Sequence, residues 1–307
     1  MLMTTKYQRA DDSLYLNMTS IHPAISRGSV AVISGGASGI GLAAAKLWAK
    51  SGMSVVIADV DTDALARARE ELSKSTVGDA TILAERTDVS KKAEVEKLKE
   101  KVASTFPSSN ITLLMANAGV GGPTKASSDG GWERIFGINF YGVQNLCTSF
   151  VPLMQKHGQP GLVINTGSKQ GITTPPGSGA AYNVSKAAVK TYTEQLAHEL
   201  RQDKNSQIDV KLLIPGWVHT GLTGAKDGKP KPDGAWSPEE TVDFLAESIQ
   251  KGSFYVLCPD NETPREVDLA RMQWNISDII EDRPALSRWH DEWAPKFAEY
   301  MKGKGLA

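Results

Sequence analysis

Tyr182, Asn183, Val184, Ser185 and Lys186 follow one another, so a phenol and an ammonium group stand four residues apart. If the segment is helical, the two lie one turn apart on one face. An unperturbed phenol, with a pKa near about 10, is a poor base at neutral pH. An ammonium at roughly 4 Å is worth up to about 4 kcal/mol at intermediate dielectric, or about two to three pKa units in favour of the phenolate. That makes Tyr182 a candidate for general acid–base work, with Lys186 tuning it. The pair alone is a pattern that chance supplies often. A hydroxyl, Ser168, closes the run LVINTGS. If that run is a parallel strand, Ser168 stands at the carboxyl edge of the sheet, where open sheets bind their ligands, although a serine there is also an ordinary turn residue.

A second constellation lies nearer the N-terminus. SVAVIS runs into SGGASGIG, Ser34–Gly41, and then into a helical pattern. A strand, a glycine-rich turn and a helix start let backbone approach a pyrophosphate, and the helix end supplies free N–H groups and a positive dipole end. The next strand-like run, SVVIAD, ends at Asp59, about 20 residues on, where an acid that reads a ribose belongs. A 2′-phosphate at about 4 Å from that carboxylate would lose roughly 4 kcal/mol at an effective dielectric near 20, about a thousandfold in affinity. No Arg or Lys stands in the glycine turn to compensate. The expected cofactor is therefore NAD and not NADP. The same Asp59 is also compatible with a helix-capping role ahead of Asp61.

These groups need a scaffold, and the chain alternates strand-like with helical runs. Strands are expected at Ser29–Ser34, Ser54–Asp59, Thr81–Glu85, Ile111–Met115, Leu162–Thr166, Ile208–Ile214 and Phe254–Cys258. Helices are expected at Gly39–Ser51, Thr62–Ser73, Lys91–Phe106, Gly137–His157, Ala180–Gln202 and Pro238–Lys251. The fold class is α/β: a doubly wound Rossmann fold, a parallel seven-stranded sheet with helices on both faces. Residues 1–27 read as an N-terminal arm, 28–260 as the dinucleotide-binding and catalytic domain, and 261–307 as a C-terminal helical extension packed on it. The segment Trp217–Trp236, rich in Gly and Pro, is the expected mobile loop over a site.

The chain's 307 residues are 40% hydrophobic, enough for one sizeable core, and carry a net charge of −1. Neither nucleic acid nor a membrane is an expected partner. Cys147 and Cys258 show no metal or redox spacing, no apolar leader opens the sequence, and a cytoplasmic location is expected.

Taken in order, SGGASGIG, Asp59, Asp88-Val89, Asn117-Ala118-Gly119, Asn139, Ser168, Tyr182–Lys186 and PGWVHT (Pro215–Thr220) resemble the short-chain dehydrogenase/reductase family, over about residues 28–258. The resemblance implies hydride transfer between NAD and an alcohol or ketone. It implies that Gly35, Gly39 and Gly41, with Ser38 and Ile40, cradle the pyrophosphate. Asp59 would hold the adenosine ribose, Asp88 and Val89 would border the adenine, and Asn117, Ala118 and Gly119 would support the cofactor. Asn139 would hold a water in a proton relay, Ser168 would orient the substrate oxygen, Tyr182 would exchange the proton, and Lys186 would hold the nicotinamide ribose. Pro215, Gly216, Val218 and Thr220 would line the nicotinamide, the last two gripping its carboxamide. A homodimer or homotetramer is implied, paired through the helices at Gly137–His157 and Ala180–Gln202. Lys169, Gln170, Trp217, His219 and Trp236 are the candidate substrate contacts, and the aromatic ones suggest a fairly large aromatic or alicyclic substrate. Lys226, Lys229 and Lys231 would matter only for an anionic one. His219 has no acidic or cysteine partner in metal spacing, so no metal is expected. Ser34 and Ala116 stand where the family commonly has threonine and asparagine, and the long tail departs from its usual short end.

Overall fold

A computed structural model describes residues 22–225 and 228–306. The first 21 residues of the arm and Lys226 of the loop lie outside the described residues.

The seven apolar runs form β1 (Val30–Ser34), β2 (Ser54–Asp59), β3 (Ile82–Arg86), β4 (Ile111–Ala116), β5 (Gly161–Thr166), β6 (Ile208–Ile214) and β7 (Tyr255–Leu257). They make one sheet in the order β3-β2-β1-β4-β5-β6-β7, with every pair parallel. β1, β2, β4 and β5 are buried almost end to end, as strands covered on both faces must be. Alternate residues feed two cores. Ala31 and Ile33 pack with α1 (Gly39–Lys50), α2 (Thr62–Ser73) and α8 (Pro238–Gln250). Val30 and Val32 pack on the opposite face with α3 (Lys92–Thr105), α5 (Gly142–Lys156) and α7 (Ala180–Gln202). This is the doubly wound Rossmann architecture. Its strand order reverses between β1 and β4, and the crevice outside their carboxyl ends is where such sheets hold ligands.

Some elements differ from the sequence pattern. The helix expected at Gly137–His157 begins earlier, as α4 (Trp132–Phe136), passes through one π-helical turn (Gly137–Tyr141) and continues as α5. A short α6 (Gln170–Thr173) follows Ser168. The extension folds into α9 (Arg265–Ile280) and α10 (Ala294–Gly303). The body also reaches back past residue 28: Ala24 and Ile25 are buried in the core, and the Thr112 hydroxyl donates to Ala24 O at 2.6 Å.

The loop that reads from sequence as free-standing is tied at its ends. Val218 and Trp236 form a parallel bridge, with Trp236 N donating to Trp217 O at 2.9 Å and His219 N to Trp236 O at 2.8 Å. Ser237 then caps α8 in a reciprocal capping box with Glu240.

Candidate active site

A cleft of about 930 Å³ opens along the carboxyl ends of the strands. At one end lies the turn from β1 into α1. Gly35 and Gly39 have φ of +63° and +54°, which favours glycine. A Cβ on Gly35 would stand 2.9 Å from Ala118 Cα, so the turn packs directly on the segment after β4. Ser38 makes no side-chain capping bond at the head of α1, which leaves the first N–H groups of the helix to a ligand. Ser38, Gly39 and Ile40 line the cleft, as Gly35 does.

Gly41 does not. A Cβ there would meet Gly35 O at 2.2 Å and Asn117 Nδ2 at 2.8 Å. Its work is close packing of α1 against the turn, and the expectation that it touches the pyrophosphate is corrected. Asn117 fastens the same junction: Nδ2 donates to Ser34 O and Gly35 O, and Oδ1 accepts from the Thr166 hydroxyl. The Ser34 hydroxyl accepts from Asn117 N and Ala118 N, so a serine suffices at that position.

Asp59 ends β2 on the cleft wall. Its Oδ1 accepts from Val60 N at 2.8 Å and Asp61 N at 3.2 Å, and its Oδ2 accepts from Ala37 N at 3.3 Å. The capping of α2 falls to Asp61, whose carboxylate accepts from Ala64 N. Arg86 pairs with Asp59 in the sheet register, yet its guanidinium is held by Glu94 at 3.0 Å. Glu94 also accepts from Asp88 N, and Asp88 and Val89 line the cleft beyond Asp59. Ala118 and Gly119 line it from the β4 side.

The reactive end lies across β5. Ser168 Oγ accepts from Gln170 N at 3.2 Å, which leaves its own hydrogen available to donate. Burial pushes the Tyr182 phenol above its usual pKa, and the hydrogen bond from Ser168 opposes this. Lys186 is buried on the same helix, with Nζ donating to Thr166 O at 2.8 Å. Burial lowers its pKa to about 8. Its Nζ stands 5.8 Å from the centre of the Tyr182 ring. Sequence spacing alone makes Lys186 the dominant influence on the phenol. In the folded chain desolvation is stronger, and Tyr182 rests as a neutral phenol.

Asn139 lies behind the cleft, fully buried. Its amide donates to Val120 O and Ser185 Oγ, and its Oδ1 accepts from Val120 N. Both side-chain amide hydrogens are committed, so the side chain acts as a brace. A Cβ on Gly119 would stand 3.5 Å from both Asn139 Oδ1 and Lys186 Nζ, which places the brace beside the lysine. The π-helical turn turns Asn139 inward, and residue spacing does not reveal such a turn.

Of the candidate substrate contacts, Gln170 and Trp217 line the cleft. Trp236 does not: it packs on Phe244 and donates its indole N–H to Asn261 Oδ1. His219 is absent from the walls too. Both are corrected to loop-packing residues. Lys169 does reach the wall, but its ammonium is held by Asp260 at 3.1 Å and Asp268 at 2.6 Å. Pro215, Gly216, Val218 and Thr220 line the cleft between these groups and the glycine turn. Arg134, Leu222 and Asp260 line it with no motif to announce them. Leu222 and Trp217, half and about one third exposed, make the outer wall apolar.

A family model of short chain dehydrogenases matches residues 29–231. This chain belongs to the short-chain dehydrogenase/reductase family. A 1-deoxy-11-beta-hydroxypentalenate dehydrogenase of Streptomyces exfoliatus is 30% identical over 84% of this chain and 93% of its own length. A 3beta-hydroxysteroid dehydrogenase 2 of Eggerthella lenta is 33% identical over 66% and 75%. Among solved structures, a short-chain dehydrogenase/reductase from Burkholderia phymatum in complex with NAD matches with a TM-score of 0.74 at 32% identity, covering 84% of this chain and 96% of that one. The short-chain dehydrogenase fold therefore carries an oxidoreductase site with a nicotinamide nucleotide as its cofactor. No helix among the described residues is long and apolar enough to cross a membrane.

Proposed function

We propose that this short-chain dehydrogenase is NAD-dependent and interconverts a bulky, uncharged secondary alcohol and its ketone. The observation that carries this reading is the cleft itself, which brings Ser168, Tyr182 and Lys186 to one end of a cavity whose other end holds Asp59.

The cleft fits a dinucleotide on this chain's own geometry: left-handed glycines at the turn, a helix start without a side-chain cap, and the Asp59 carboxylate, oriented by backbone N–H groups, on the wall. Gly35, Ser38, Gly39 and Ile40 would hold the pyrophosphate, and Asp59 the adenosine ribose. Asp88 and Val89 would border the adenine, and Lys186, Val218 and Thr220 the nicotinamide half. When bound, NAD accepts or supplies the hydride. Three arguments support NAD over NADP: the carboxylate of Asp59, the commitment of Arg86 to Glu94, and the lack of a cation in the glycine turn.

The substrate oxygen sits between the Ser168 hydroxyl and Tyr182. Ser168 donates its hydroxyl hydrogen, which the bond it accepts from Gln170 N leaves available. In oxidation Tyr182 first passes its own proton along the Lys186 path and then, as the phenolate, takes the proton of the alcohol. In reduction the phenol donates its proton to the carbonyl oxygen and is reprotonated along the same path. Lys186 spends one of its three N–H donors on Thr166 O, leaving two for ribose hydroxyls and a proton path. Trp217 and Leu222 supply apolar contact, and Lys169, neutralised by two acids, offers no counter-charge to an anionic substrate. An alicyclic alcohol fits such a wall, as the name of the steroid dehydrogenase relative suggests.

The reductive direction is a second reading with its own support, since a buried phenol that stays protonated is poised to donate to a carbonyl. We also propose self-association through the faces of the π-helical turn with α5, and of α7.

The test follows NADH formation or loss with secondary alcohols and ketones, from small aliphatic to steroid-sized, with NAD and NADP in parallel. Turnover of a bulky neutral alcohol or ketone, with NAD bound up to about a thousandfold tighter than NADP, is the expected result. Preference for NADP would overturn the role of Asp59, and turnover confined to carboxylates would overturn the neutral-substrate reading.

A further inference from the structure

A buried ionic cluster lies under the substrate end of the cleft, made by one residue after Ser168 and two from the C-terminal part of the chain. Lys169 Nζ stands 3.1 Å from Asp260 and 2.6 Å from Asp268, and the three side chains are 14%, 6% and 5% exposed. Both acids lie beyond residue 231, where the family match ends.

Taking three charges out of water is costly, and hydrocarbon of the same volume often stabilises as well. What hydrocarbon cannot do is hold irregular backbone in a fixed direction. Asp260 does this in three places: Oδ2 accepts from Trp217 N at 3.0 Å, and Oδ1 accepts from Thr263 N at 2.8 Å and Glu262 N at 3.2 Å. Asp268, on the first turn of α9, anchors the lysine from the other side. Gly216 is shaped by the same cluster, because a Cβ there would lie 2.3 Å from Asp260 Oδ2 and 2.9 Å from Lys169 Nζ. One ammonium thereby joins three segments: the residue after Ser168, the Pro-Gly-Trp turn after β6, and α9.

We propose that Lys169, Asp260 and Asp268 form a positioning network that fixes Ser168 and the main chain of Trp217 relative to Tyr182. The network makes α9 part of the reactive site through Asp268, which itself lies outside the cleft walls. The inference rests on the proposed dehydrogenase reading only where turnover is the readout.

The test replaces Asp268 by Asn in the full chain and follows amide hydrogen exchange, NADH binding and turnover. Exchange is expected to accelerate in residues 168–173 and 216–219, with the central strands and α1 unchanged and NADH affinity retained. With any alcohol the wild type oxidises, kcat is expected to fall by about tenfold or more, since small misplacements of a reacting group are costly. In a Ser168→Ala background the same substitution is expected to change kcat by less than about twofold, because groups that act through one another are not additive. Unaltered exchange in both segments, or a loss that multiplies with that of Ser168→Ala, overturns the proposal. If Asp268→Asn does not fold, Asp268→Glu, which keeps the charge and displaces the lysine, is read by the same criteria. If no alcohol or ketone is turned over by the wild type, the dehydrogenase reading fails, and the exchange data alone decide the network.

Discussion

At the scale of single residues, burial governs the titrating pair. Lys186 has a folded pKa of about 8 against an ordinary 10.5, so its charged form is disfavoured in the folded chain. The resulting destabilisation is present in full below about pH 8 and is relieved as pH rises toward the ordinary lysine value; such a shift corresponds to about 3 kcal/mol. Stability of the wild type relative to Lys186→Met should therefore rise across that window, as urea denaturation at pH 7.5 and pH 10.5 would show. Tyr182 supplies a second prediction. Tyr182→Phe keeps the ring and removes the proton-transfer oxygen, so kcat should fall by about 10²- to 10⁴-fold while NADH affinity by fluorescence titration stays near wild type. An equal loss of binding would point to a structural fault in place of a lost proton carrier.

Elements decide whether these residues meet. The head of α1 works only because the helix can press onto the turn before it, and Gly41 is the contact. Alanine in a helix interior normally gains up to about 1 kcal/mol over glycine. Here the added Cβ would lie 2.2 Å from a backbone oxygen, and overpacking of this kind costs roughly 1–3 kcal/mol or more. The clash wins: Gly41→Ala should lower the thermal midpoint and weaken NADH binding by about tenfold or more. Unchanged binding and midpoint would show that the turn can give way. The π-helical turn between α4 and α5 is the element least visible beforehand. Its apolar pattern is that of an ordinary helix, and a single widened turn leaves no mark in residue spacing.

On the scale of the whole molecule, the extension holds an aromatic cluster of its own and meets the body where Asp268 pairs with Lys169. Trp274 is buried against Phe297 and Tyr300, donates its indole N–H to Ser287 Oγ at 2.7 Å, and carries the Arg283 guanidinium at 4.3 Å from its ring. Trp274→Ala should cost about 3–5 kcal/mol in denaturant unfolding. The glycine turn and Asp59 should still bind NADH once the variant is folded. Self-association belongs to this scale as well. Tyr141 and Val184 leave about half their surface exposed on the helices proposed to pair. Light scattering should report a dimer or tetramer, and Val184→Asp should shift it toward the monomer; a monomeric wild type would end the proposal.

The sequence by itself determined most of the scaffold, from the strand–helix alternation to the parallel sheet and the placing of the glycine turn, Asp59, Ser168 and Tyr182–Lys186 along one edge. Those features are local: strand burial, helix spacing and turn chemistry are written over a few residues at a time. Tertiary structure decided what depends on distant segments meeting. It turned Asn139 into a brace against Val120 and Ser185, and took His219 and Trp236 out of the cleft. It also handed Lys169 to Asp260 and Asp268, the latter 99 positions away by number. No spacing rule reaches that far, because such contacts are set by how whole elements pack. Burial belongs with them: the distance from Tyr182 to Lys186 is a property of one helix, but the water excluded from both is a property of the fold.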